Sequence, residues 1–361
     1  MKKILYLSLI AIFSIFLFSC QSDNEFISDL PTTVTPTEVP IYQEEDLIED
    51  YESLTSTITF TNTLISSDSI SLTVTSNSVT ITEPGEYLLT GLSTDAQIII
   101  DADDTDLVVL IFDNLNLTSQ NGPVISVTNA DKVIINLKEG TTNQLSDSST
   151  SSIDHKAVIY SKDDLTINGS GSLTLLANYK NGIQVNDDLI ILNSSITITS
   201  SNHSIKANNS LSMTNAILTL TSGNDGIHVE NEDDLTLGSI TIESGTFTID
   251  AQSDAISASL DLTILDGTFN MTSGSTSSDS GKGLKAVHNI IISDGEFTIV
   301  SIDDSIHSNS GILINGGEFQ LSSNDDAIHS DDELVINDGI IYINKCFEGL
   351  ESYVMTINGG Y

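Results

Sequence analysis

The chain has 361 residues, with 51 acids against 11 lysines and no arginine, and a formal net charge of −40. No basic face exists to neutralise phosphates, which excludes nucleic acid as a natural partner. An acidic polysaccharide would be repelled as well unless cations intervene, and the absence of tryptophan removes the flat platforms that grip crystalline cellulose by stacking.

The chain opens with a basic head, Met1-Lys2-Lys3, an apolar run from Ile4 to Phe18, and the closing stretch Leu17-Phe18-Ser19-Cys20. This order describes a secretion signal over residues 1–20, too short and wrongly flanked for a spanning helix. Cys20 resembles the lipobox cysteine of bacterial lipoproteins, whose thiol is diacylated. Gln21-Ser22-Asp23-Asn24-Glu25 resembles the acidic tag that sends such lipoproteins to the outer face of the outer membrane. The expectation is therefore an outer-membrane lipoprotein at the cell surface, anchored through Cys20. Cys346 is then the single remaining thiol, so no disulfide forms within one chain. Residues 21–56 carry Pro31, Pro36 and Pro40 among threonines and acids, without an apolar period. They read as a flexible tether.

Residues 57–361 read as one elongated repeat domain. Residues 58–160 alternate apolar and polar positions without a clean period, as expected of irregular opening coils. From Asp163 onward a period of 22 emerges, clearest in Val287–Ser308, Asn309–Ser330 and Asp331–Ser352. Glu230–Ala258 and Ser259–Ala286 are longer, the second by a loop of Ser, Thr, Gly and Asp. Within a block, pairs such as Ile290/Ile292 and Phe297/Ile299 alternate with period two, the half-buried strand pattern. Turns at Asp294-Gly295, Gly316-Gly317 and Asp338-Gly339 separate about three strands per block. Identical faces recur between blocks and not within them, so each strand stacks in parallel on its counterpart. The predicted fold is all-β, a right-handed single-stranded parallel β-helix of about 22-residue coils; propellers and sandwiches need longer or less uniform repeats. The final Gly359-Gly360-Tyr361 aligns with Gly316-Gly317-Glu318, so the sequence reads as truncated one strand early.

Stacking turns sequence positions into ladders with rungs about 4.8 Å apart. A first ladder reads Asn181, His203, Asp225, Asp254, Lys282, Asp304, Asp326, Glu348, flanked by Asn224, Asp303 and Asp325. A second reads Gln184, Lys206, His228, Ser257, Lys285, His307, His329, Glu351. Two carboxylates at rung spacing repel by roughly 3–4 kcal/mol at an effective dielectric near 20. Lys282 can neutralise one gap, but no lysine falls within Asp304–Asp326–Glu348. Either these acids splay into water or a cation sits among them. Oxygen donors in number favour calcium, held by Asp225, Asp254, Asp303, Asp304, Asp325, Asp326, Glu348 and Glu351. The histidines leave zinc as the alternative, and a solvated acidic face remains the plain one.

Several motifs follow one another in a familiar order: Asp303-Asp304-Ser305-Ile306-His307-Ser308, Asp325-Asp326-Ala327-Ile328-His329-Ser330, Gly283-Leu284-Lys285-Ala286 and Phe347-Glu348-Gly349-Leu350-Glu351. Asp163-Asp164-Leu165-Thr166-Ile167-Asn168-Gly169-Ser170-Gly171-Ser172-Leu173 and Asn224-Asp225-Gly226-Ile227-His228 belong to the same series. Over roughly residues 70–361 the chain resembles the bacterial carbohydrate-binding domain-containing family of pectate-lyase-like β-helices, which bind cellulose and acidic sugars and hold calcium. That resemblance implies calcium near the Asp-Asp motifs and sugar contact along the same face, with Lys206, Lys282, Lys285, His228, His307 and His329 as contact residues. His203-Ser204 departs from the usual small or glycine-containing turn, and the final Asp-Asp-Gly-Ile-Asn motif is not present. The expected function is non-catalytic binding of an acidic, polygalacturonate-like or cellulosic glycan by a monomer. A calcium-dependent lyase using Lys206, Lys282 or Lys285 as base is the enzymatic alternative; an adhesin or stalk is the structural one. Scattered Tyr160, Tyr179, Tyr342 and Tyr353 are the residues able to stack on sugar.

Overall fold

Alternation of Ile, Leu, Val and Phe with Ser and Thr produces short strands, and in the regular part each strand is hydrogen-bonded in parallel register to the one three strands before it. The computed structural model describes residues 42–361 apart from 52, 70, 155 and 276–279. The expected leader, Cys20 and most of the expected tether lie outside those residues. Among the described residues 34 strands join one sheet coiled as a parallel β-helix, and no helix is long and apolar enough to cross a membrane.

Three strand columns run through the regular part. One holds Ser195–Ser200, Ala216–Ser222, Gly245–Ala251, Thr268–Ser273, Glu296–Ser301, Glu318–Ser322 and Ile340–Lys345. Its inward Phe247, Phe269, Phe297 and Phe319 are buried and stack ring on ring at 4.6–4.8 Å. Offset aromatic stacking adds to the large apolar area each ring removes from water. Gly295 and Gly317 precede two of these phenylalanines with φ of 127° and 101°. A Cβ at Gly295 would meet the Gly267 carbonyl at 2.9 Å and the Phe297 ring at 3.0 Å, so the turn demands glycine on both counts. The expected turns at 294–295 and 316–317 are thus explained by the aromatic column they feed.

The irregular opening coils stack on the same plan, with register shifts at Thr90/Gly91 and Ile100/Asp101. The first parallel strand, Ser56–Thr61, pairs antiparallel on its other side with Leu64–Ser67. At the other end Tyr342, Phe347 and Tyr353 are exposed.

The expected tether boundary at residue 56 needs correction. Glu44–Leu47 forms a 3₁₀ turn whose Asp46 is fully buried against the sheet, 3.1 Å from Lys132 Nζ. Thr166 Oγ1 donates to Asp46 at 2.6 Å, and Asn168 Nδ2 donates to the Asp46 and Ile48 carbonyls. Outward polar positions on Lys132–Leu137 and Asp164–Asn168 therefore carry a docked strap, which supplies the partners that burial demands.

Candidate functional site

The site is built by the turn between two strand columns, where each block passes from a strand such as Glu296–Ser301 to one such as Ile306–His307–Ser308. A serine at the end of the first strand closes the turn: Ser301 Oγ donates to the Asp303 carbonyl and Ser323 Oγ to that of Asp325, both at 2.9 Å. This leaves the following residue at a matching position from coil to coil, an aspartate at 225, 254, 304 and 326. Its Oδ1 accepts the main-chain N–H of the next rung. Asp225 takes the Asp254 N–H at 3.0 Å, Asp254 that of Lys282 at 2.8 Å, Asp304 that of Asp326 at 3.0 Å, and Asp326 that of Glu348 at 3.1 Å. The second ladder is likewise paired rung by rung from Gln184 to Glu351. Tyr160 extends it by one rung ahead of Gln184.

With Oδ1 occupied, each Oδ2 faces a cationic or imidazole group of the second ladder. His228 Nδ1 lies 2.8 Å from Asp225, His307 Nδ1 2.8 Å from Asp304, Lys285 Nζ 3.1 Å from Asp254. Lys282 is ion-paired with Asp303 and stands 3.8 Å from Asp304 Oδ2, because its long side chain reaches one rung onward. These contacts relieve the repulsion that rung spacing alone implies. Burial acts to raise the Asp304 carboxyl, but His307, the Asp326 N–H and Lys282 outweigh it and hold it below the usual range. Burial is likewise overcome at Asp225 by His228 and His203.

The expected metal ligands fall into three sorts. Asp225, Asp254, Asp304 and Asp326 are buried, Asp303 is half-buried, and Asp325, Glu348 and Glu351 are exposed. Asp303, Asp304 and Asp325 bring carboxylate oxygens within 4.8 Å of one another, whereas Asp254 is tied to Lys285 and joins no such group among the described residues. Burial, then Asp326, Asp304 and Asp303, raise the Asp325 carboxyl; Glu351 is raised by the hydrogen bond it shares with Asp326. Asp326, His329 and Glu351 form a second group, and Asp304, His307 and His329 a third.

Among the expected sugar-contact residues, Lys206, His228, Lys285, His307 and His329 are half-exposed along one face, Lys206 lying 3.9 Å from Glu230. Two groups escaped sequence reasoning. His203, Asp225 and His228 converge, although His203 stands in the first ladder and His228 in the second. Reading diagonally between ladders, and not only along each, would have found them. Asp164, Asp187 and Asp188 also meet, where the paired strands Asp164–Asn168 and Asp188–Leu192 begin. Burial, and then Asp187 and Asp188, push the Asp164 carboxyl up to about 6 against the Asp188 N–H that it accepts. Their signal was the Asp-Asp doublets at 163–164 and 187–188.

A family model described as carbohydrate-binding domain-containing protein matches residues 75–327. A curated relative from Acetivibrio thermocellus, a carbohydrate-binding domain-containing protein, is 38% identical over 148 residues, covering 39% of this chain. The match spans about half of that relative, 52% of its length. A solved structure described as the polysaccharide lyase-like protein from C. thermocellum, a gadolinium derivative, superposes with a TM-score of 0.51 at 26% identity. It covers 84% of this chain and 98% of the solved one. The chain belongs to the carbohydrate-binding domain-containing family.

Proposed function

We propose that this member of the carbohydrate-binding domain-containing family binds acidic polysaccharide non-catalytically along the face of the two ladders, with calcium as the bridge. The observation that carries the reading is the surplus of carboxylate at the downstream end. There Asp303, Asp304 and Asp325 gather oxygens within 4.8 Å of one another beside Asp326 and Glu351. Calcium takes six to eight oxygen ligands in flexible geometry. Asp303, Asp304 and Asp325 fit part of that set, and sugar carboxylates and hydroxyls would supply more. Gadolinium, taken up by the polysaccharide lyase-like neighbour, is also a hard, oxygen-seeking cation. Lys206, Lys285, His307 and His329 line the same face and offer donors to sugar oxygens. The leader-like start and Cys20 support an anchor at the outer membrane surface.

Affinity electrophoresis of the full chain against polygalacturonate tests the reading. Retardation is expected with calcium, with loss on chelation and in Asp304→Asn/Asp326→Asn. Retention that survives chelator and favours neutral cellulose would move the site to the tyrosines and uncharged strand faces. For the anchor, Cys20→Ala should shift the protein from the membrane to the soluble fraction; unchanged partitioning removes the lipoprotein reading.

A lyase reading draws on the name of the structural neighbour. It needs a lysine free to accept a proton, whereas Lys282 and Lys285 already face carboxylates and Lys206 lies 3.9 Å from one. Binding is the function this geometry supports best.

A further inference from the structure

At the upstream end of the same face the chemistry changes from oxygen donors to nitrogen. We propose that His203, Asp225 and His228 bind a divalent transition-metal ion of the zinc class, at a site separate from the calcium-bridged downstream acids.

The three donor atoms lie close together. His228 Nδ1 is 2.8 Å and His203 Nδ1 3.5 Å from Asp225 Oδ2, and each residue brings a ligand atom within 4.8 Å of the other two. Ligands about 2.0–2.2 Å from a tetrahedral ion sit roughly 3.3 Å apart, so small side-chain movements close the set around one ion. The two rings stack at 4.7 Å with only 22° between their planes, which lets both Nδ1 atoms face the same carboxylate.

The protons argue for a cation. His228 Nε2 lies 3.0 Å from Glu230 Oε2, and a carboxylate there is satisfied by an Nε2–H donor. The Nδ1 of the same ring stands 2.8 Å from Asp225 Oδ2. Both Nδ1 atoms are shielded from solvent and neither makes a hydrogen bond, the short His228 contact being out of line for one. His203 is 8% exposed and Asp225 6%, so water does not supply the missing partner freely. A buried polar atom without a partner costs about 1–3 kcal/mol. A bound ion would satisfy both nitrogens and Asp225 Oδ2 together.

The surrounding contacts resemble those that orient metal ligands. Glu230 holds the far nitrogen of His228, and the Asp254 N–H holds the other oxygen of Asp225. Such partners set the tautomer and ring direction. One contact must change: His203 Nε2 stands 3.4 Å from Asn224 Nδ2, and a proton on that nitrogen requires the amide to turn its oxygen inward. Two imidazoles and one carboxylate suit zinc, cobalt or nickel better than calcium, whose ligands are oxygens. Downstream the equivalent His307 Nδ1 is already hydrogen-bonded to Asp304, so that rung presents no orphaned pair.

Cobalt(II) is the probe, added to the full chain in excess calcium. The expected result is a visible ligand-field absorption that saturates at one equivalent and is displaced by zinc. His203→Asn and His228→Ser should abolish it. Each borrows a residue that the same column carries in a neighbouring coil, Asn181 and Ser257, so the coil should still form, as circular dichroism will check. His307→Ser should leave the absorption intact. Absence of the band in the folded parent, or its persistence in both upstream variants, overturns the proposal. Loss in His307→Ser alone does so too. Calcium-dependent retention on polygalacturonate is a separate reading, and its success or failure leaves this one standing.

Discussion

The upstream rung of His203, Asp225 and His228 and the downstream rungs around Asp304 and Asp326 share one backbone, yet their side chains resolve the same electrostatic problem differently. Upstream, one carboxylate lies between two imidazoles, His203 buried and His228 half-exposed, and Lys206 leans toward Glu230. Downstream, Asp303, Asp304, Asp325 and Asp326 outnumber Lys282 and the two histidines. A parallel β-helix repeats its geometry every coil, so one substitution in a column changes donor chemistry without moving the scaffold. Histidine in place of an acid at position 203 is such a change.

The sharpest break of this comparison is Asp225→Ala against Asp304→Ala. Removing Asp225 strips the partner from half-exposed His228 and the acceptor from the buried Asp254 N–H. Breaking a buried charged pair costs about 3–5 kcal/mol. Asp304→Ala strips His307 and the Asp326 N–H in the same way, but it also relieves the repulsion from Asp303 and Asp325 close by and should cost less. Urea denaturation of both variants in chelator would measure the gap. Equal losses would mean that the two rungs are energetically alike despite their different partners.

The ladders themselves were legible in sequence because side-chain direction in a stacked strand depends only on the repeat register. Every expected pairing from Gln184/Lys206 to His329/Glu351 is present. Contacts between ladders were not legible. They depend on how far a side chain leans along the axis, as when Lys282 reaches Asp303 and Asp304. The docked strap escaped for another reason: Lys132, Asn136, Thr166 and Asn168 look like solvated strand positions until Asp46 and the Ile48 and Glu49 carbonyls cover them.

A pH titration sharpens the contrast next. Burial pushes the His203 imidazole down to about 4, against the opposing pull of Asp225. Between pH 6.5 and 4 the unfolded chain takes up a proton that folded His203 refuses, so stability falls as pH falls through this window, by roughly 3 kcal/mol. His228 works the other way. Burial lowers it, but the Asp225 and Glu230 carboxylates outweigh burial and raise it. Its contribution is fully present below pH 6.5 and is lost as pH rises through the folded value. Asp304, held low, loses its contribution only below the ordinary carboxylate range. In chelator, the drop between pH 6.5 and 4 should therefore belong to the upstream rung and largely vanish in His203→Asn. A drop that persists there would mean that His203 is not its source.

The smallest effect concerns Lys285, which stands in the second ladder between the two regions, flanked by Ser257 and His307. Its Nζ lies 3.1 Å from Asp254 Oδ2, and its side chain is partly open to solvent. Asp254 keeps the Lys282 N–H and the Ser280 hydroxyl when that ammonium is gone, so Lys285→Ala should leave the fold intact. A partly exposed pair is worth up to about 1 kcal/mol, and a contact of similar strength with a sugar carboxylate implies a loss of roughly fivefold in polygalacturonate affinity. Moderate salt should shrink the difference between parent and variant, because an exposed ammonium is screened while calcium coordination is short-range. The ultraviolet absorbance of unsaturated sugar products should stay flat throughout. Steady growth of that absorbance in the parent, abolished by Lys285→Ala, would make this lysine a base and the protein a lyase.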